Sequence, residues 1–232
     1  MRKALPRRAM PRPVPRRSGS DQRTRQRVFE VAASLFAERG FRKVTVREIC
    51  RRAKANVAAV NYHFRDKMGL YTEVVWAAIE TMRQTREAMI DEGQGQSAEL
   101  KLRTYIRIYL SHLVGEGRKS WIHKLMAHEL ADPSPALDLV AKHAIRPRIE
   151  YLGGIVRELL GPAAPEAVVN RSVGSIQGQC LLYAMDLFNP AAARFNPPRQ
   201  AAAEMDQLAD HITEFSLAGI RSLANSPPAP RH

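Results

Sequence analysis

The apolar positions between Gln22 and Arg39 repeat with the period of an α-helix. Four of them lie at positions i, i+4, i+7 and i+8, namely Val28, Ala32, Leu35 and Phe36. This spacing places them on one face of a helix. Gly40 follows, and glycine is common just past the end of a helix. The pattern therefore predicts a first amphipathic helix that ends at Gly40.

Two short helices are predicted to follow the first. Thr45 and Glu48 have the spacing of a capping box, in which the threonine caps the helix and the glutamate reaches back to the cap. The apolar face of that helix would contain Val46, Ile49, Cys50 and Ala53. Asn56 is a suitable cap for a third helix that ends near Phe64. Three helices with a tight turn before the last favour a helix-turn-helix arrangement over an unspecialised three-helix bundle.

Beyond Lys67 the chain reads as a succession of longer helices. Turn-forming segments at 91–97, 115–118, 131–135, 161–165 and 189–200 separate predicted helices near 67–90, 98–114, 119–130, 136–160, 165–188 and 201–223. Pro147 is expected to kink or restart the helix that contains it. No segment shows sustained period-2 alternation, so the predicted fold class is all-α.

Charge divides the chain into two unlike parts. The net charge is +13. Residues 1–67 contain 19 Lys and Arg against 5 Asp and Glu, a net of +14, whereas residues 68–232 contain 17 against 18, a net of −1. This asymmetry indicates a module that binds a polyanion, joined to a domain with another role. Charge alone leaves nucleic acid and an anionic membrane surface as alternatives.

The domain boundaries follow from these patterns. Residues 1–20 form an Arg/Pro-rich tail that is expected to be disordered, with no apolar segment typical of a signal peptide. Residues 21–67 form the predicted helix-turn-helix domain, 68–225 a helical domain with a separate role, and 226–232 a frayed tail. No apolar run is long enough to span a membrane, and the expected location is the cytoplasm. Cys50 and Cys180 are interpreted as buried free thiols.

The third predicted helix has one apolar face and one face suited to DNA. Val60 and Phe64 would face the core. The front would present small side chains and one amide to base edges in the major groove, through Val57, Ala58, Ala59 and Asn61. An asparagine amide can pair with adenine N6 and N7, and the methyl groups can contact thymine methyls.

A second group of residues is predicted to contact phosphates. Thr45 lies at a helix N-terminus, and three others lie near the junction of the third and fourth helices, namely Tyr62, His63 and Lys67. Further positive charge would come from Arg25, Arg27, Lys43 and Arg47. For His63 the alternative is a partly buried ring that packs under the third helix.

The N-terminal sequence resembles the TetR family of transcriptional regulators. The matching segments are FEVAASLFAERGFRKVTVREICRRA at 29–53 and NVAAVNYHFRDKMGLY at 56–71, with similarity to a subgroup whose third helix reads ANVAAVNYHF. The resemblance implies phosphate contacts at Thr45, Tyr62, His63 and Lys67, and base contacts among residues 57–61. Lys54 departs from the glycine that many members have in the turn.

The resemblance also implies a homodimer that represses transcription and releases DNA when a small molecule enters the C-terminal domain. Predicted dimer residues are the small residues of one helix and an apolar row on the last, namely Gly174, Gly178, Met205, Leu208 and Ile212. The alternative for these residues is packing within one chain. Pocket candidates are Trp76, Met82, Met89, Tyr105, Tyr109, Trp121 and Met126, which could equally be plain core.

Other chemistry is weakly supported. His123 and His128 are five residues apart and would diverge on a helix, so a metal site with Glu129 is disfavoured. The segment GEGRKS at 115–120 lacks the spacing of a phosphate-binding loop and is interpreted as a turn. No catalytic motif or cofactor site is indicated. The predicted function is therefore a ligand-responsive, dimeric repressor that binds double-stranded operator DNA. The alternative is a helical enzyme or small-molecule carrier with a basic surface-binding end.

Overall fold

The computed structural model describes residues 19–114, 120–183 and 204–225. Within these ranges every regular element is helical, so the predicted all-α class is confirmed. The predicted tails, most of the turn at 115–120 and the segment 189–200 lie outside the described residues.

Ten α-helices and one π-helical segment make up the described part of the chain. They are α1 Gly19–Lys43, α2 Val46–Ala53, α3 Val57–Phe64, α4 Lys67–Gly93, α5 Ala98–Val114, α6 Ser120–Ala131, α7 Leu137–Val140, the π-segment Ala141–Ile145, α8 Arg146–Leu160, α9 Glu166–Leu182 and α10 Met205–Ala224.

The predicted end of the first helix at Gly40 corresponds to a sharp kink. Gly40 has φ 75° and ψ 169°, and the last turn of α1 continues beyond it to Lys43. The ring of His128 on α6 approaches so closely that a Cβ at position 40 would lie 3.2 Å from its Nδ1. Glycine is therefore required here both for the backbone conformation and for the contact with α6.

Side-chain caps begin the three helices that follow. Thr45 Oγ1 accepts a hydrogen bond from the Glu48 amide at 3.2 Å, and Asn56 Oδ1 accepts one from the Ala58 amide at 3.0 Å. Asp66 Oδ1 accepts one from the Gly69 amide at 2.7 Å. The predicted caps at Thr45 and Asn56 are thus confirmed.

The expected return contact of Glu48 with the cap is replaced by ion pairs. Its Oε1 accepts from Arg39 at 2.6 Å and from Arg52 at 3.3 Å. A charged partner stabilises a carboxylate more than a neutral amide does, so Glu48 joins α2 to α1 instead of closing the capping box.

The predicted single helix at 136–160 is divided in the structure. Its first turn, α7, passes into the π-segment, and α8 begins at Arg146 with Pro147 in its first turn. Proline has no amide hydrogen and clashes with the carbonyl four residues earlier, so a regular α-helix cannot run through Pro147 unchanged. The wider π-turn accommodates this break.

Two apolar cores lie at opposite ends of α4. The N-terminal core joins α1, α2, α3 and the first half of α4 to Ile122 and Leu125 of α6 and to the α7 and π region. The C-terminal core joins α5, α8, α9 and α10 to Met89 near the end of α4. The N-terminal core therefore continues past residue 67 and includes part of the following domain.

The two cysteines belong to these cores. Cys50 lies in the N-terminal core and Cys180 in the C-terminal core, and both are buried free thiols, as predicted. Burial raises the pKa of Cys50, and it raises the pKa of Cys180 to about 12. Both thiols are therefore protonated at neutral pH.

Candidate nucleic-acid interface

Helix α3 presents an open face opposite its buried stripe. Val60 and Phe64 are 0% and 3% exposed and anchor the helix in the N-terminal core. On the other side Val57 is 40% exposed and Tyr62 67%, and Asn61 is also exposed. A short helix that is fixed along one side and bare along the other has the form that enters a major groove.

The turn before α3 is tight, and Lys54 has an unusual conformation for a lysine. Lys54 caps the end of α2 with φ 50° and ψ 48°, in the left-handed region. Its amide donates to the carbonyl groups of Arg51 and Cys50. Since glycine adopts this conformation most readily, the chain retains a positive side chain here at a cost in backbone strain.

Three of the predicted DNA-binding residues lie on the open surface around α2, one predicted as a phosphate contact and two as added positive charge. Lys43, Thr45 and Arg47 are exposed. Thr45 Oγ1 accepts the Glu48 amide, so its hydroxyl hydrogen is free to point towards a phosphate oxygen. Lys43 and Arg47 place positive charge on either side of it. These residues fit the contacts that hold a helix-turn-helix unit on the DNA backbone.

The side chain of His63 is largely covered, at the floor of the groove between α3 and the start of α1. Only 2% of its side chain is exposed, and its Nε2 lies 3.2 Å from Asp21 Oδ1 on α1. The ring also packs edge-on against Tyr62 at 4.8 Å between centroids. The structure therefore agrees with the alternative of a buried ring under α3, because the pairing with Asp21 turns His63 away from the surface.

Arg25 and Lys67 make internal contacts as well. Arg25 forms an ion pair with Glu73 of α4 and lies 5.2 Å above the ring of Phe64. Lys67 Nζ donates to the Arg42 carbonyl at 3.4 Å and lies 4.3 Å above the Phe41 ring. Burial lowers the pKa of Lys67. Both cations hold α1 against α4, and this contact network was not predicted from sequence.

The remaining predicted residues lie at the edge of the same surface. Arg27 is exposed and donates to Thr24 Oγ1 at 3.5 Å. Ala58 and Ala59 border an open groove of about 510 Å³ between α3 and the start of α1. The same groove is also lined by three polar residues of α1, namely Ser20, Asp21 and Thr24. The sequence analysis did not predict them, because only the crossing of α1 over α3 brings them close to α3.

The junction between α3 and α4 is strained. Arg65 has φ 72° and ψ −57°, and the Asp66 amide donates to the Phe64 carbonyl at 2.9 Å, which closes a γ-turn. A Cβ at Gly69 would lie 2.0 Å from that same carbonyl oxygen. The direction of α3 is therefore fixed by close backbone contact with the first turn of α4.

The seven predicted pocket residues are divided between the two cores. Met82, Trp121 and Met126 pack against the N-terminal core, while Met89, Tyr105 and Tyr109 are buried in the C-terminal core. Trp76 is 42% exposed and packs against His143, with 5.0 Å between ring centroids. The rings of Tyr105 and Tyr109 lie close together, with centroids 5.7 Å apart. Both contact Arg148, a residue the sequence interpretation did not select.

The predicted dimer residues differ in exposure. Gly174 and Gly178 are exposed on α9, but Leu208 and Ile212 are 6% and 0% exposed and belong to the C-terminal core, where the alternative of packing within one chain applies. Met205 packs partly against that core. The exposed apolar side chains of α10 are instead Phe215, at 65%, and Leu223, at 48%.

The three residues considered for a metal site each make a different contact. Glu129 accepts a hydrogen bond from Tyr71, His128 lies against Gly40, and the ring of His123 packs on His112. Within residues 19–114, 120–183 and 204–225 no group of three or more His, Cys, Asp or Glu side chains could hold a metal ion.

The open face of α3, the exposed cations around α2 and the helical body behind them define a helix-turn-helix protein of the transcriptional regulator class. Two family comparisons agree. Residues 28–74 match the bacterial regulatory proteins of the tetR family. Residues 98–220 match the C-terminal domain of the HTH-type transcriptional dual regulator CecR. The second match covers more than half of the chain, and the chain belongs to the TetR family of transcriptional regulators.

Individual relatives share parts of the chain. The probable HTH-type transcriptional regulator YttP of Bacillus subtilis is 33% identical over 89 residues, which are 38% of this chain and 43% of that protein. The probable acrEF/envCD operon repressor of Escherichia coli K12 is 24% identical over 138 residues, which are 60% of this chain and 61% of that protein. The matches thus span less than two thirds of these relatives.

Solved structures share the fold over most of the chain. The hemolysin II transcriptional regulator HlyIIR superposes with a TM-score of 0.57 at 21% identity, covering 84% of this chain and 97% of that one. FadR from Bacillus subtilis, solved with stearoyl-CoA, gives 0.58 at 18% identity, covering 84% and 98%. Among the described helices, none is long and apolar enough to cross a membrane.

Proposed function

We propose that this regulator is a repressor that binds a near-palindromic operator as a homodimer and releases it when a small-molecule effector binds. The observation that carries the proposal is the bare face of α3, with Val57, Asn61 and Tyr62 exposed beside a buried stripe. The name of the E. coli relative, an operon repressor, supports the sign of regulation.

Base recognition is assigned to the front of α3. Asn61 supplies a bidentate amide for adenine, and Val57, Ala58 and Ala59 supply methyl groups for thymine. Phosphate contacts are assigned to Lys43, Thr45 and Arg47 around the start of α2, with Tyr62 and Arg27 at the sides. His63, Arg25 and Lys67 act by holding α3 and α4 in place, as their contacts with Asp21, Glu73 and Arg42 indicate.

Dimerisation is assigned to an apolar groove between α9 and α10. The groove has a volume of about 240 Å³, and its lining includes Val168, Ser175, Phe215, Gly219 and Leu223. Gln179 Nε2 donates to Ser216 Oγ at 3.3 Å and holds the two helices together beside it. Large exposed apolar side chains beside small residues are typical of a surface that a second helix pair covers. Two copies would place two α3 helices in successive major grooves, about 34–36 Å apart.

DNA binding is tested by selection from a random duplex pool, followed by fluorescence anisotropy in a salt series. A regulator should enrich a two-fold symmetric sequence, and its affinity for that site should fall steeply with salt. Asn61→Ala should cost roughly 1–3 kcal/mol on the selected site and relax one base position in each half-site. Asn170→Ala, at an exposed asparagine on α9, is the control and should bind like the wild type. Equal affinity for every duplex would overturn the proposal.

The oligomeric state is tested by light scattering. The protein should have twice the chain mass of 26.0 kDa. Phe215→Glu should give monomers, because a charge in the groove opposes burial of that surface. Leu130→Glu places the same charge at another exposed leucine, on α6, and should leave the dimer intact. A monomeric wild type would contradict the dimer assignment.

A further inference from the structure

The C-terminal core contains an arginine with no acidic partner among the described residues. Arg148, on α8, donates from Nη1 to the Tyr105 hydroxyl at 2.9 Å, and its guanidinium lies 4.2 Å above the ring of Tyr109. Its Nε is buried and has no hydrogen-bond partner within residues 19–114, 120–183 and 204–225. Two arginines at the surface of this core do form ion pairs, Arg103 with Asp210 and Arg157 with Glu166.

The neighbouring tyrosines cannot neutralise this charge. Burial raises the pKa of both Tyr105 and Tyr109, so their hydroxyl groups stay protonated at neutral pH. Burial lowers the pKa of Arg148 and the two tyrosines raise it, with a net upward shift. At pH 7 the neutral tyrosines stabilise the cation through the Tyr105 hydrogen bond and the Tyr109 ring, but no negative charge among the described residues compensates for its desolvation.

The arginine lies at one end of a polar row inside an otherwise apolar core. Tyr105, Tyr109 and His112 occur at positions i, i+4 and i+7 of α5 and share one face of that helix. At 1.5 Å per residue the row is about 10 Å long. At its far end His112 Nδ1 lies 3.2 Å from Thr85 Oγ1, and the ring of His123 packs against His112 with 5.0 Å between centroids.

The two ends of this row differ in charge. His123 is 6% exposed, and its buried Nε2 has no hydrogen-bond partner in the part of the chain that the structure describes. Burial lowers the pKa of His123, so this ring is neutral at pH 7. The positive charge is therefore concentrated at Arg148, and the other end offers a neutral polar atom.

We infer that Arg148 binds the carboxylate of an organic acid, which is the effector class of the proposed regulator. Because Tyr105 accepts a hydrogen bond from Arg148, its own hydroxyl hydrogen remains available as a second donor to the anion. One guanidinium balances one negative charge, which favours a monoanionic carboxylate over a phosphate dianion. The body of the acid would lie along α5 towards His123.

The binding test uses acids paired with amides of the same shape. The probes are benzoate with benzamide, 4-phenylbutyrate with 4-phenylbutyramide, and decanoate with decanamide, titrated by calorimetry into the full-length protein. At least one acid should bind about tenfold more tightly than its amide, the difference expected from a charge-assisted pair. If no acid in the panel exceeds its amide, the inference is overturned.

Variants assign that preference to one side chain. Arg148→Met should bind acid and amide equally, and Arg148→Lys should keep part of the preference because it keeps the charge without the planar geometry. Arg146→Met removes an exposed arginine two residues away on α8 and should retain the full preference. An acid preference that persists in Arg148→Met would place the anion elsewhere and overturn the assignment.

A thermal melt without probe separates binding from a structural role. Arg148 is a partly buried charge without an acidic partner among the described residues, so its replacement by an apolar side chain of similar length should leave the melting temperature of Arg148→Met unchanged or higher. A lower melting temperature would assign Arg148 to stability and overturn the inference.

The inference rests on the proposed function only for its link to transcription. A protein that selects a duplex sequence but shows no acid preference would fail this inference and retain the proposed function. A protein that binds acids through Arg148 but selects no duplex would retain this inference and fail the proposed function. In a regulator that satisfies both, the preferred acid, but not its amide, should lower operator affinity in the wild type and leave Arg148→Met unaffected.

Discussion

The hydroxyl of Tyr71, on α4, donates a hydrogen bond to the carboxylate of Glu129, on α6. The two residues are 0% and 1% exposed, so the contact is closed to water. The second carboxylate oxygen accepts from the Ser134 amide at 3.3 Å. A buried acid is thus held between the DNA-reading part of the chain and the helices behind it.

Removal of this hydroxyl should destabilise the fold. In Tyr71→Phe the Glu129 carboxylate loses its side-chain donor while remaining buried, and an unsatisfied buried group costs about 1–3 kcal/mol, more if charged. Urea unfolding followed by circular dichroism measures the change. Tyr62→Phe removes the same atom from a side chain that is 67% exposed and should leave the free energy of unfolding unchanged. Equal stability of the two variants would show that the buried contact contributes nothing.

Replacement of Lys54 by glycine should stabilise the folded protein. Its left-handed conformation, with φ 50°, costs an L-residue about 1–2 kcal/mol, of which the greater chain entropy of unfolded glycine offsets part. Lys54→Gly should therefore raise the free energy of unfolding by roughly 0.5–1 kcal/mol, measured by urea titration. Lys124→Gly, at an exposed lysine within α6, should lower it by a similar amount. A destabilised Lys54→Gly would show that the lysine side chain stabilises the turn.

Gly69 should not tolerate even a methyl group. A Cβ there would lie 2.0 Å from the Phe64 carbonyl oxygen, which is backbone and cannot rotate away. Gly69→Ala should therefore reduce operator affinity and lower the melting temperature, because α3 must shift against α4. Gly154→Ala is the matched control on α8, where nothing lies within 4 Å of the added carbon. It should gain roughly 0.5–1 kcal/mol from helix propensity. Normal DNA binding by Gly69→Ala would refute the close contact.

Acid should destabilise the protein through His123. Burial lowers the pKa of this ring in the folded state, whereas the unfolded chain binds a proton near pH 6.5. The stability from neutral His123 is therefore present above about pH 6.5 and is lost as the pH falls below it, by up to about 1.4 kcal/mol per pH unit.

The free energy of unfolding between pH 6.5 and 5 measures this effect. His123→Phe should show a flatter dependence over that range, because the titrating group is gone. His211→Gln changes an exposed histidine on α10 and should keep the wild-type slope. Identical slopes in all three proteins would rule out His123 as the origin.

Local signals in the sequence were sufficient for the helix-turn-helix unit. Thr45, Asn56 and Asp66 each cap the helix that follows, as their side-chain chemistry predicts. Capping depends on residues three or fewer positions away, so it can be read without knowledge of the fold. The kink at Gly40 and the break near Pro147 are local in the same sense.

Contacts between distant segments could not be predicted from such local signals. His63 and Arg25 look like surface cations in the sequence, yet they are engaged by Asp21 and Glu73 on other elements. Leu208 and Ile212 lie on an apolar stripe that helical periodicity detects, but periodicity does not show whether the same chain or a second copy covers it. Arg148 became notable only through what surrounds it. In the sequence it is one of several charged residues near Pro147, and this signal is too weak to select it.

The length of α4 has a mechanical consequence. Its 27 residues correspond to about 40 Å, and Leu70 near one end is buried in the N-terminal core while Met89 near the other is buried in the C-terminal core. A tilt of about 5° pivoting at Met89 would carry the Lys67 end through about 3 Å at this rise per residue. Because α3 packs closely against that end of α4, this small tilt is enough to move the exposed face of α3 out of register with a DNA major groove.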